Sequence, residues 1–162
     1  MGSNSARWVR WSKSVAVAAL ALGASAAWAR SPHFQNLSAF CADADTLACS
    51  GKDVGLGLPD NTEVTVVVTA DAQCINPGDN SPNANNKNDT PDKTAVEGQG
   101  IYFVSSGNLQ FSVDVDAILT PSCSPPMTID FTNVEVCAYT GDPGTSVLLN
   151  CSTNFDSLFS CP

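Results

Sequence analysis

The sequence predicts an all-β fold, an antiparallel β-sandwich of immunoglobulin-like architecture stapled by disulfides. Short segments rich in β-branched residues alternate apolar and polar positions, the pattern of half-buried strands. Clusters of Pro, Gly, Asn and Asp separate them as turns. All seven cysteines follow an N-terminal apolar run, and no helical stripe appears after it.

Residues 1–29 read as a signal peptide. Arg7, Arg10 and Lys13 precede the apolar stretch 15–22, and small residues lead to Ala27-Trp28-Ala29 before Arg30. That is the tripartite export pattern with cleavage near Ala29. Residues 30–48 form an N-terminal lead-in, irregular or with one helical turn around 37–40. Residues 49–162 form a single β-sandwich domain, opening with turns over 51–61.

Residues 62–72 form the first clear strand, with Val64, Val66, Val68 and Ala70 on one face. Residues 76–100 form a long polar loop, far beyond the usual connection of about 4–6 residues. Residues 101–104 and 109–117 are the arms of a hairpin turning at Ser106-Gly107-Asn108. Leu109, Phe111, Val113, Val115 and Ala117 share one face of its second arm, and Gln110, Ser112, Asp114 and Asp116 the other. The strand from Met127 to Thr140 changes phase near Thr132-Asn133, which calls for a bulge or a change of sheet. Residues 141–144 turn the chain into a last strand over 145–151.

The cysteines are Cys41, Cys49, Cys74, Cys123, Cys137, Cys151 and Cys161. Three bridges and one leftover thiol are expected in an oxidising compartment. The candidate pairs are Cys41–Cys49, Cys74–Cys123, and Cys137 with Cys151 or Cys161. The odd thiol either cross-links two chains or is buried. No C-x-x-C and no histidine near a cysteine favours zinc.

Loss of the leader takes three of the seven basic residues and none of the 16 acidic ones, so the formal charge moves from −9 to −12. Such a surface repels nucleic acid and anionic membranes and suits cations or basic partners. No second apolar run is long enough to span a bilayer. The expected location is extracellular, periplasmic or at the cell surface.

Catalytic equipment is sparse. The one histidine, His33, lies at the predicted mature terminus, and Lys52, Lys87 and Lys93 fall in predicted loops. Gly55-Leu56-Gly57 lacks the lysine and helix of a phosphate loop. Asp114 and Asp116 share a strand face, about 7 Å apart, within the inverting glycosidase range; a solvated face is the plainer reading. In the long loop, Asp79, Asn83, Asn85, Asn88, Asp89 and Asp92 offer hard oxygens of the type Ca²⁺ takes, without EF-hand spacing. The absence of tryptophan after the leader weakens a sugar-binding reading, and Tyr102, on the face opposite Phe103, is the first aromatic candidate for one. Asn36, Asn88 and Asn150 head glycosylation sequons.

Two segments are familiar together. Cys49-Ser50-Gly51-Lys52-Asp53-Val54-Gly55-Leu56-Gly57 is followed by Ala70-Asp71-Ala72-Gln73-Cys74-Ile75-Asn76-Pro77-Gly78, then Pro82-Asn83-Ala84-Asn85-Asn86-Lys87. The order C-x-x-K-D-x-G-L-G, C-x-N-x-G, N-K resembles a group of small secreted bacterial β proteins of unknown function. The resemblance implies export and a compact β fold over residues 47–140, and carries no catalytic residue.

The sequence thus points to an exported, non-enzymatic binding or cell-surface interaction protein. The alternatives are a small secreted hydrolase using Asp114 and Asp116, and a calcium-stabilised extracellular module. No cofactor other than calcium is implied, and the partner is an unknown protein or surface ligand.

Overall fold

A computed structural model describes residues 31–76, 93–120, 122–123, 126–141, 145–155 and 159–162. The predicted leader, the calcium-candidate residues Asp79, Asn83, Asn85, Asn88, Asp89 and Asp92, and Lys87 lie outside the described residues. The described residues form eight strands: β1 (His33–Cys41), β2 (Thr46–Val54), β3 (Glu63–Ile75), β4 (Thr94–Phe103), β5 (Asn108–Asp116), β6 (Thr128–Thr140), β7 (Val147–Phe155) and β8 (Phe159–Cys161). One sheet has the order β1-β2-β5. The other runs β4-β3-β6-β7, with β8 pairing the first part of β6. All pairings are antiparallel.

The fold is therefore an all-β, two-sheet antiparallel sandwich. The constant-type immunoglobulin order sets four strands, A, B, E and D, against C, F and G. Here the fourth strand joins the third, which leaves three strands facing the larger sheet.

Alternation builds the core. Val64, Val66, Val68, Ala70 and Ala72 of β3, with Phe131, Val134, Val136 and Ala138 of the neighbouring β6, bury one face of the larger sheet against Leu109, Phe111, Val113 and Val115 of β5. The phase change in β6 is a bulge at Asn133. Thr69 faces Glu135 and Asp71 faces Thr132, so two residues of β6 oppose Ala70. Asn133 takes φ 52° and donates its amide to Asp71 Oδ2 at 2.7 Å.

Four expectations about the strands and loops need correction. The lead-in is not irregular or helical: residues 33–41 form β1, and β2 begins at Thr46. A register shift between Gln35 and Ser38, with Asn36 at φ 53°, hides the alternation. The expected turn over 51–54 belongs to β2, so Lys52 sits on a strand. A Cβ on Gly51 would lie 2.7 Å from the end of the Leu37 side chain and 3.0 Å from the Phe111 ring, so these would have to shift to admit one. The polar loop ends before Thr94, since 94–100 pairs with β3.

The fourth correction concerns the hairpin. Its tight reversal exists, with Ser105 and Asn108 exchanging backbone bonds around Ser106 and Gly107, both at positive φ. Its arms then part into different sheets.

Three disulfides close the molecule: Cys41–Cys161, Cys74–Cys123 and Cys137–Cys151. Such a set fits an oxidising compartment. Cys74–Cys123 is the expected pair, and Cys137 takes the first of its two candidate partners. The Cys41–Cys49 pair is overturned. Cys41 lies opposite Leu47 while Cys49 lies opposite Ala39, and Cys41 reaches across to β8 of the other sheet. Cys49 is a free, fully buried thiol. Among the described residues, no helix is long and apolar enough to cross a membrane.

Candidate binding surfaces

Asp114 and Asp116 stand exposed on the outer face of β5. Thr46 Oγ1 donates to Asp116 Oδ1 at 3.0 Å and lies 3.5 Å from Asp45 Oδ1. Neither aspartate is buried. His33 is an exposed β1 residue whose ring nitrogens meet the Ser31 carbonyl and the Gln35 amide, each at 3.0 Å. Lys93 donates to Thr132 Oγ1 at 3.4 Å.

Tyr102 is not a free sugar platform. Its ring meets Phe111 edge-on at 6.3 Å, and its hydroxyl bonds both backbone groups of Ser112. Among the sequons, the Asn150 amide is engaged with Asp53 Oδ1 at 3.3 Å.

Asp53 is a buried charge the sequence reading missed. It follows Leu47, Cys49 and Gly51 on the inner face of β2 and is fully buried, with Oδ2 lacking a partner among the described residues. Burial pushes its pKa up; hydrogen bonds from Asn150 and the Val54 backbone, and the nearby His33, pull the other way.

Two of the concave or open features among the described residues could receive a ligand. At one end of the sandwich lies a cleft of about 640 Å³, a size ordinary for small-molecule sites. Asp43, Asp45 and Asp116 form its rim, and Leu119, Met127 and Ile129 line its apolar part.

The second feature is the outer face of the five-stranded sheet. Register sets its rows. Ile101, Thr65, Tyr139 and Leu148 form one. Gln99, Val67, Cys137 and Cys151 form the next, followed by Glu97, Thr69 and Glu135. Phe103 and Glu63 cap the series. A groove of about 300 Å³ runs across it over Thr65, Val67 and Tyr139. Ile101 is 60 % exposed, Phe103 61 % and Leu148 53 %. Large apolar side chains gathered on an outer face mark interaction surfaces more often than scattered ones do. Glu63, Glu97 and Glu135 stand among them, with Lys93 at the far end of the face and Lys52 of the smaller sheet lining a concavity beside Phe103. The alternation of β4 signals this surface only once Gly98 and Gly100 are read as strand.

For metal, the described residues bring one group together: Glu135, Cys137 and Cys151, with ligand atoms within 4.8 Å of one another. Both sulfurs are joined in the Cys137–Cys151 bridge. No protein-family model, curated protein or solved structure significantly matches this chain.

Proposed function

We propose that this chain is an exported, non-enzymatic binding module that docks a basic, amphipathic protein segment on the outer face of its five-stranded sheet. The observation that carries this reading is the alternation on that face of exposed Ile101, Phe103 and Leu148 with Glu63, Glu97 and Glu135. A cationic segment with apolar side chains complements both. The apolar groups supply desolvation energy, and the carboxylates supply steering and register. The acidic composition supports the same partner chemistry. The leader, the disulfides and the motif resemblance support export. The open setting of Asp114 and Asp116 supports binding over hydrolysis.

The test is titration calorimetry of the purified protein with a synthetic peptide alternating lysine and valine, beside a glutamate-for-lysine control. The lysine peptide is expected to bind and to weaken as salt rises, since exposed pairs are screened beyond about 8–10 Å. An Ile101→Ser/Phe103→Ser variant should lose about tenfold or more in affinity. Equal binding of both peptides, or an unaffected double variant, would overturn the reading.

A further inference from the structure

Cys137 and Cys151 face each other directly across antiparallel β6 and β7, with Cα atoms 4.1 Å apart. Both project to the outer face, Cys137 buried beneath it and Cys151 exposed. Glu135, two residues before Cys137, points the same way by the period-2 rule, and its Oε1 lies 3.6 Å from Cys137 Sγ. The β6–β7 ladder sets the two cysteines opposite each other through their backbones.

Of the three bridges, this is the one built to open. Like the others it ends at one buried cysteine, here Cys137, but its second cysteine, Cys151, is exposed, whereas Cys41 and Cys123 are half-buried. It also spans 14 residues, against 49 and 120 for the others. A short loop contributes least to restraining the unfolded chain. Its loss therefore costs the fold least.

We propose that Glu135, Cys137 and Cys151 form a redox-gated site for a thiophilic divalent cation of the Zn²⁺ class. With the bridge closed, the sulfurs carry no charge and the site takes no metal. A dithiol reductant opens it. Two electrons and two protons pass to the sulfurs, giving two thiols, while the dithiol becomes a cyclic disulfide. The cation then displaces both thiol protons. Two thiolates and a carboxylate crowd three negative charges into a few ångströms, an arrangement a divalent cation relieves. Zinc–sulfur bonds of about 2.3 Å place tetrahedral sulfurs about 3.8 Å apart, which opposed cysteines on paired strands can span. Sulfur donors select zinc-like metals over Ca²⁺ or Mg²⁺. Water completes the fourth position.

The experiment uses purified protein treated briefly with a dithiol, desalted under anaerobic conditions and titrated with Co²⁺. Alkylation mapping of the reduced sample should label Cys137 and Cys151 ahead of the other paired cysteines. One equivalent of Co²⁺ should then produce a thiolate-to-cobalt absorption band, which Zn²⁺ abolishes and which untreated protein lacks. Glu135→Gln, which leaves the bridge intact for folding, should weaken Co²⁺ by about tenfold or more, and Cys49→Ala should leave the band unchanged. No band in the reduced protein would overturn the proposal. So would an equal band in a Cys137→Ala/Cys151→Ala variant, or unchanged affinity in Glu135→Gln.

Discussion

The Tyr102 hydroxyl, carried by the larger sheet, donates to the Ser112 carbonyl of the smaller one and accepts from the Ser112 amide at 3.2 Å. Ser112 lies on β5, an edge strand whose other side pairs with β2. An open edge invites strand pairing with another chain, and here one side chain occupies it. The opposite seam is joined by Cys41–Cys161 and by the Asn150–Asp53 hydrogen bond. With both seams closed, the outer faces become the surfaces left for a partner.

Removing that hydroxyl should therefore loosen the β4–β5 seam. Tyr102→Phe keeps the ring against Phe111 and strips Ser112 of its partner. A loss of about 1–2 kcal/mol is expected, read by urea denaturation. A variant as stable as the parent would show that water replaces the tyrosine without cost.

Gly98 should tolerate no side chain. A Cβ there would stand against the Asp114 carbonyl and 3.1 Å from Val115. Since a backbone atom is the obstacle, rotamer changes cannot relieve it. Gly98→Ala is expected to cost about 1–3 kcal/mol, with the midpoint of denaturation as readout.

The Cys49 thiol should be silent in the native protein. Burial, aided by the Asp114 charge, pushes its pKa up to about 12, and the thiolate is the reactive form. Ellman's reagent should find no thiol under native conditions and one after denaturation without reductant. Ready native labelling would contradict its position between the sheets.

Asp53 sets a pH dependence. Burial raises its pKa in the folded chain above the ordinary 3.8. The folded state then holds this proton more tightly than the unfolded state does. The associated stability is fully present below the ordinary value and is lost as pH rises through the folded one. Asp53→Asn, neutral at every pH, should melt higher than the parent near neutrality. The advantage should disappear in acid, which thermal melts across pH would show.

The strands with uninterrupted alternation were legible in the sequence. β3 and β5 have one buried face each, and the β6 bulge announced itself as a slipped phase at Thr132-Asn133. β1 was hidden because its register shift at Asn36 breaks the same alternation. The parting of β4 from β5 was hidden because the hairpin turn is real and only the strands beyond it diverge. Gly98 and Gly100 carried the signal, since glycine within a strand often marks a close backbone approach. The docking face depends on which strands lie side by side, and that is set by pairings between residues far apart in the chain. Asp53 had no local signature, because its hydrogen-bond partner, Asn150, lies 97 residues away in the chain.

A non-reducing peptide map of the purified protein tests the clamped sandwich most directly. The expected digest contains peptides joined through Cys41–Cys161, Cys74–Cys123 and Cys137–Cys151, with Cys49 recovered as a free thiol. A peptide linking Cys49 to Cys41, or to any other cysteine, would contradict the closure of the two sheets described above.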